Sequence, residues 1–154
     1  MRFTFEAHGE KLIEREILRV GNRAADHRPA FEVVARAMMA IEREQFDAEG
    51  GRSGGWPALS PHTAAEKTRK GEDPRVLHAT LDLMRSLTEQ GDSNQLLEIH
   101  ESWMAFGSHL PYASIHQRGG KNLPQRRPID FNEADRQGIV KIIQRWLMRG
   151  EAAL

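Results

Sequence analysis

The glycine-rich segment over residues 47–56, DAEGGRSGGW, limits the possible folds more than any other part of the chain. It holds four glycines in ten residues. Glycine has no Cβ to restrict its backbone, so such a run does not continue a helix or a strand. We therefore predict an exposed, irregular loop over residues 47–56, acting as a hinge or an arm.

Periodic apolar positions predict two helices before this loop and one at the C-terminal end. Pro29 separates the first helix, which begins near Glu10, from a second that runs to about Phe46, and we expect the two to form an antiparallel hairpin. The C-terminal helix follows the N-cap Asn132 and repeats apolar residues from Ile139 with helical spacing. The apolar stripe of the first helix consists of Ile13, Ile17, Val20 and Ala24, and its charged remainder faces water.

Shorter elements are predicted between these helices. Alternating Phe3 and Phe5 predict a strand over residues 2–7. Ser60 and Pro61 predict the start of a helix that ends at Gly71. Further elements are predicted at residues 75–84 (helix), 86–90 and 95–101 (a hairpin around the turn 91–94), 103–106 (an extension of the sheet), 111–117 (helix) and 128–131 (a return to the sheet).

Together these elements predict one α+β domain over residues 1–154. A small antiparallel sheet packs against the N-terminal helical hairpin and the C-terminal amphipathic helix, with the glycine-rich loop 47–56 and a basic loop at 118–127. The hydrophobic fraction is 39%, and 6% of the residues are aromatic, which is lean for a self-sufficient globule. We therefore expect a homo-oligomer.

Charge and composition exclude several classes of function. Lys and Arg together equal Asp and Glu at 22 each, so no overall field attracts nucleic acid or an anionic membrane. The chain has no cysteine, which excludes disulfides and thiolate chemistry. Its first ten residues resemble no signal peptide, and no window approaches the length of a membrane span. We expect a soluble, cytoplasmic protein without membrane contact.

No catalytic or metal-binding pattern is present in the sequence. The seven histidines form no HExxH motif and no i, i+4 pair. No GxSxG elbow and no phosphate-binding glycine pattern occurs. A hydrolase that uses His116 and a nearby carboxylate has the least support, because no nucleophile accompanies the histidine. We expect no enzyme activity, no cofactor and no metal.

Two features leave alternatives open. The basic loop contains Arg118, Lys121, Arg126 and Arg127, which could bind DNA phosphates or protein carboxylates; the neutral total charge favours protein contact. Trp56 is either a core residue or an interface anchor, since tryptophan is enriched at binding hot spots. Trp103 and Trp146 lie in periodic segments, which favours core packing for both.

Two groups of residues resemble the phage virion morphogenesis family of tail-completion proteins. The first group follows a W-x-x-L-S-x-x-T pattern, a lysine-bearing helix and a leucine-rich stretch; its residues are Phe46, Trp56, Leu59, Ser60, Thr63, Lys67, Leu77, Thr80, Leu83 and Ser86. The second follows YA-x-I-H-Q-x-G and then P-x-R and R-P; its residues are Tyr112, Ala113, Ile115, His116, Gln117, Gly119, Pro124, Arg126, Arg127 and Pro128. Leu81 stands where the family has glycine, which should straighten a turn, and Arg118 stands where an apolar residue is usual.

The resemblance implies a structural protein of the tail or neck, either a tail completion protein or a tail terminator. Such subunits form a ring, expected to be six-fold, at the head-proximal end of the tail and make it competent for head–tail joining. The implied partners are sister subunits and tail tube, sheath or neck and connector proteins, with passing contact to DNA in the channel. The implied location is the virion, after assembly in the host cytoplasm.

The segment around Trp56 and the segment from Tyr112 to Arg127 are the candidate contact faces of such a ring. The candidate interface residues are Trp56, Leu59, Lys67, Tyr112, His116, Gln117, Arg118, Arg126 and Arg127. The alternative function is a small nucleic-acid-binding module that uses the basic loop.

Overall fold

The computed structural model describes residues 9–153, and the strand predicted over residues 2–7 lies outside the described residues. Its elements, in chain order, are α1 (Glu10–Ala25), α2 (Arg28–Asp47), one 3-10 turn (Gly51–Ser53), α3 (Pro61–Lys70), α4 (Asp82–Thr88), strands β1 (Gln95–Ile99) and β2 (Met104–Ser108), α5 (Ala113–Arg118) and α6 (Glu133–Arg149). The α+β class is confirmed, with its N-terminal helical hairpin, its C-terminal helix and its two-stranded antiparallel sheet.

Helix α2 lies at the centre of the fold and packs against α4 and α6. On the α6 side, Val33 and Val34 form a buried cluster with Ile142. On the α4 side, Phe46 packs with Leu83 and Leu87. Phe46 and Leu87 are fully buried, and burial of one such side chain contributes about 1.5–3 kcal/mol relative to an exposed one.

The predicted ends of two helices are confirmed. Ser60 caps α3 by accepting a hydrogen bond from the backbone N–H of Thr63, and Gly71 ends the helix in the left-handed conformation. Asn132 and Asp135 form a reciprocal capping box at the start of α6. These ends are encoded locally, which is why the sequence alone located them.

The predicted position of the β-hairpin is wrong. Strand β1 pairs with β2, with Gln95 opposite Ser108, so the turn lies at residues 100–103. Residues 86–88 belong to α4, and the helix predicted over 75–84 begins only at Asp82. The buried residues Leu83, Ser86 and Leu87 follow helical spacing and pack toward α2, whose contact outweighs the local preference of the Ser-Leu-Thr run for a strand.

The segment before α4 is irregular because its backbone enters the left-handed region twice. Leu77 has φ 61° and Leu81 has φ 64°, and that conformation is costly for a residue with a Cβ. The Thr80 hydroxyl donates to Asp82 at 2.6 Å at the start of α4. The expectation that Leu81 would straighten the turn is therefore wrong, since it keeps the backbone conformation that favours glycine.

Three further expectations concern the remaining segments. Residues 128–131 form no strand. Trp103 is not in the core; it is 48% exposed at the tip of the hairpin and stacks on His100 with ring centroids 4.1 Å apart. Trp146 is half-buried, and its Nε1 donates to the main-chain oxygens of Arg23 and Asp26, which joins α6 to the end of α1.

Helix α1 buries none of its residues, and its main contacts are with α6. Its apolar stripe therefore faces solvent instead of a core. Ile13 and Ile17 are 63% and 65% exposed, although the helix is strongly amphipathic. This exposed stripe is the largest departure of the fold from a self-contained globule.

Candidate assembly interface

The glycine-rich loop folds back on the end of α2 instead of projecting as an arm. Glu49 and Gly50 have φ 45° and 78°, and the loop closes through hydrogen bonds from Gly55 N to Gly50 O and from Trp56 N to Glu49 O, both 2.8 Å. A Cβ at Gly50 would collide with the indole of Trp56. The irregular backbone predicted here is thus confirmed, and its conformation requires glycine at one position for steric reasons.

Trp56 is half-buried and belongs to the side of the core that Phe46 builds. Its ring packs edge-on against Phe46, with centroids 5.2 Å apart. Its Nε1 donates to the carbonyl oxygen of Arg127 at 3.0 Å. The packing of Trp56 therefore agrees with the prediction of a core residue, and its role as an interface anchor remains a prediction.

Arg126 makes a second connection between the same two segments. Its side chain is only 6% exposed, and it donates from Nε to Pro57 O at 2.8 Å and from Nη2 to Ala58 O at 3.0 Å. Burial lowers the pKa of Arg126. The segment around Trp56 and the segment from Tyr112 to Arg127 thus form one joined surface, not two separate faces.

Lys67 is also buried and serves the chain's own backbone. It is 8% exposed, and its Nζ donates to the carbonyl oxygens of Asp73 at 2.7 Å and Arg75 at 2.8 Å. These bonds order the link between α3 and α4. In residues 9–153, no carboxylate lies within ion-pair distance of either Lys67 or Arg126, and both cations donate instead to backbone carbonyls, which leaves their charge in place.

Helix α5 holds three of the predicted interface residues, His116, Gln117 and Arg118, and Tyr112 lies directly before it. Gln117 clamps the backbone of Ile129, donating to its carbonyl at 2.8 Å and accepting from its N–H at 3.2 Å. Tyr112 packs edge-on against His116, with centroids 6.0 Å apart. Burial, and secondarily the charge of Arg126, lowers the pKa of His116, so its neutral form is favoured.

A groove of about 460 Å³ lies where the two segments meet. Four of the nine predicted interface residues line it, namely Leu59, Lys67, His116 and Arg126. Leu77 and Leu123 add apolar surface. The other five predicted residues lie outside the groove: Trp56 and Gln117 are half-buried, and Tyr112, Arg118 and Arg127 are exposed.

Arg52 attaches the glycine-rich loop to α6, a connection that the sequence did not reveal. Its Nη2 lies 2.6 Å from Asp135 Oδ1, and its Nη1 pairs with Glu44. The hydrogen bond to Asp135 is the main reason why the pKa of Arg52 is raised. Since Asp135 is in the first turn of α6, the loop lies at the N-terminal end of that helix.

Glu42 is a second residue that the sequence analysis missed. It is fully buried, and burial raises its pKa to about 8. Neither carboxylate oxygen of Glu42 makes a hydrogen bond of ordinary geometry within the described residues. The main-chain amide of Asp130 is nevertheless near enough to lower the pKa of Glu42 and so to offset part of its rise. A signal was present, because Met39, Glu42 and Phe46 share the spacing of a buried stripe.

Two further properties of the described residues concern metal binding and membranes. No three His, Cys, Asp or Glu side chains of residues 9–153 are grouped as they would be around a metal ion. Among the helices of the same range, none has the length and apolar character needed to cross a bilayer. The site is instead a rigid surface with a groove, built mainly from backbone-directed hydrogen bonds.

One comparison with known proteins gives the class to which this chain belongs. The phage virion morphogenesis family matches residues 10–148, so the chain belongs to that family. This is a structural family, and membership indicates a role as a structural or assembly component of a phage particle. No curated protein and no solved structure gave a significant match.

Proposed function

We propose that this chain is a tail-completion or neck subunit that forms a ring, of six copies, at the head-proximal end of a phage tail and enables head–tail joining. The observation that carries the proposal is the family match over residues 10–148. That range contains both joined segments and every interface residue predicted from the sequence.

The geometry supports a role in binding other proteins because the joined surface is already formed in the single chain. Hydrogen bonds from Trp56, Arg126 and Gln117 fix its backbone. A preformed surface avoids much of the entropy cost of ordering loops on binding. Arg118 and Arg127 are exposed on this surface, where their side chains can reach carboxylates of a neighbour.

Deletion of the gene from its phage or prophage tests this function. In negative-stain electron micrographs of the lysates, we expect full heads that are separate from the tails, or tails whose ends are abnormal. Expression of the wild-type chain from a plasmid should restore complete particles. Normal numbers of infectious, joined particles without the protein would contradict the proposal. Native mass spectrometry of the purified chain with tail or neck components tests the ring and its copy number.

The alternative is binding to nucleic acid through the basic loop. Arg126 is buried and bonded to backbone carbonyls, so the loop presents Arg118, Lys121 and Arg127 as its exposed cations. Three cations give at most weak, salt-sensitive affinity. A gel shift at low salt that disappears when these three residues become alanine would favour this function, and no shift at low salt would exclude it.

A further inference from the structure

We propose that the exposed stripe of α1 in one copy of this chain docks in the groove between α3 and α5 of the next copy. The inference deepens the proposed function, on which it rests, by naming the two surfaces that meet in a ring of sister subunits. It follows from the exposure of α1, from the charges on both surfaces and from their positions in the fold.

The stripe of α1 has the properties of a helix that binds in a groove. Ile13, Ile17, Val20 and Ala24 are separated by four, three and four residues, the spacing of a helix–helix seam. Leu12 and Leu18, which lie outside the stripe on the two flanks of the helix, are 64% and 60% exposed. Of the nine large hydrophobic side chains exposed within the described residues, four lie on this one helix, whereas scattered exposed residues would need no partner.

The charges that border the stripe are mainly acidic. At 3.6 residues per turn, Glu10, Glu14 and Glu16 lie beside Ile13 and Ile17, and Arg23 borders the same stripe near its C-terminal end, while Lys11 and Arg15 lie on the opposite side of the helix. Glu16 forms an ion pair with Arg19 at 2.5 Å, and both side chains are more than half exposed. With Glu16 paired to Arg19, Glu10 and Glu14 against Arg23 leave the border of the stripe with a small net negative charge.

The groove has the complementary character. Leu59, Leu77 and Leu123 give it an apolar wall. Lys67 and Arg126 line it as buried cations with no carboxylate partner among residues 9–153. The His116 Nδ1, also buried, has no hydrogen-bond partner in that range. An apolar segment with acidic borders supplies what this groove lacks, and the exposed face of α1 has that composition.

The segments that carry the two surfaces are attached near opposite ends of α6. Arg52 joins the glycine-rich loop beside the groove to Asp135, in the first turn of α6. Trp146, near the other end, bonds to Arg23 of α1. Eleven residues separate the two α6 positions, or roughly 16 Å along the helix. Two different surfaces, separately attached to the fold, are what a heterologous contact requires, and such contacts form a ring when the rotation between subunits closes.

Cysteine pairing tests the contact directly, because the natural chain has no cysteine. Full-length Ile17→Cys and Leu59→Cys variants are mixed under mild oxidation, and we expect a disulfide-linked heterodimer on a non-reducing gel. Arg15→Cys, on the opposite side of α1, is the matched control and should not link to Leu59→Cys. Linkage from Arg15→Cys as efficient as from Ile17→Cys, or no linkage from either, would overturn the inference.

Self-association gives the second readout. Ile17→Glu should weaken it at least about tenfold in sedimentation equilibrium, since charge in the centre of an interface removes a hot spot. Asn22→Glu makes the same charge change on the opposite side of α1 and should leave association unchanged. Equal effects of both variants, or loss of binding only to a different virion protein, would contradict docking between copies. The gene-deletion phenotype tests the tail role separately, so that role can stand even if these variants associate normally.

Discussion

The indole Nε1 of Trp56 donates a hydrogen bond to the main-chain carbonyl of Arg127 at 3.0 Å, joining positions 71 residues apart in the chain. This bond connects the glycine-rich loop with the basic loop. The next residue pair of the same two segments, Pro57 and Arg126, is also hydrogen-bonded. The segments that the sequence offered as separate contact faces are therefore held in one rigid surface.

Substitution of Trp56 should measure the strength of this connection. Trp56→Phe keeps an aromatic ring against Phe46 but removes the donor to Arg127, so we expect a loss of about 1 kcal/mol in the free energy of unfolding. Urea denaturation followed by circular dichroism gives this value. Trp103→Phe is the matched control, since Trp103 is 48% exposed and its ring stacks on His100 at the tip of the hairpin. A larger loss at Trp103 than at Trp56 would contradict this account.

Substitution of two glycines in the same loop distinguishes the effect of backbone strain from that of a steric clash. Gly50 and Gly54 both have positive φ, 78° and 94°, so alanine at either position costs about 1–2 kcal/mol of strain. Only at Gly50 would the new Cβ meet the Trp56 ring, whereas Gly54 has open space around it. We expect Gly50→Ala to lower the melting temperature clearly more than Gly54→Ala in calorimetry. Equal shifts would show that the indole does not constrain this turn.

Neighbouring arginines should differ in their effect on stability. Arg126→Ala removes two hydrogen bonds and leaves the carbonyls of Pro57 and Ala58 without these donors, so we expect a loss of about 2–3 kcal/mol. Arg127→Ala removes an exposed side chain whose backbone carbonyl remains available to Trp56, and its effect should stay within about 0.5 kcal/mol. Chemical denaturation of both variants checks this. A larger loss of stability in Arg127→Ala than in Arg126→Ala would contradict the structural role assigned to Arg126.

Buried Glu42 should make stability depend on pH. Its pKa is about 8 in the folded chain against an ordinary value of 4.5, so between these values the folded chain keeps a proton that the unfolded chain has lost. The free energy of unfolding should therefore fall as pH rises through this window, by up to ~1.4 kcal/mol per pH unit, and level off above pH 8.

The variant Glu42→Gln isolates this contribution, because an amide does not titrate. Its stability should exceed that of the natural chain increasingly as pH rises from about 5 to 8, measured by urea denaturation at each pH. Glu32→Gln changes an exposed glutamate of the same helix and should follow the natural profile. A pH profile of Glu42→Gln parallel to that of the natural chain would show that Glu42 does not titrate abnormally.

Leu81 offers a test of backbone strain outside the loop. Its φ of 64° is one that glycine adopts without cost, so in Leu81→Gly the relief of strain should offset much of the lost burial, leaving a change within about 0.5–1 kcal/mol. Leu97 is half-buried like Leu81 but lies in strand β1, and Leu97→Gly should cost about 2–3 kcal/mol. Thermal unfolding of the two variants compares them; equal losses would argue against strain at Leu81.

Helix caps and helical periodicity could be predicted from the sequence because each depends on neighbours within a turn or two. Ser60 and Asn132 cap their helices through backbone groups three residues away. The position of the hairpin could not be predicted, because residues 86–88 suit a strand locally and become helical where Leu87 packs against α2. The family resemblance depended on short motifs, and it was confirmed over residues 10–148.

By itself, the sequence determined the helical stripes, the caps, the irregular glycine-rich loop and the family, since spacing and side-chain chemistry are properties of the chain alone. Only the tertiary structure decided that Lys67 and Arg126 are buried and bonded to carbonyls, and that the stripe of α1 stays exposed when residues 9–153 are packed. The physical reason is that burial and hydrogen bonding between distant segments depend on packing around α2. Arg126 is therefore buried and Arg127 is exposed, although the two arginines are neighbours in the sequence.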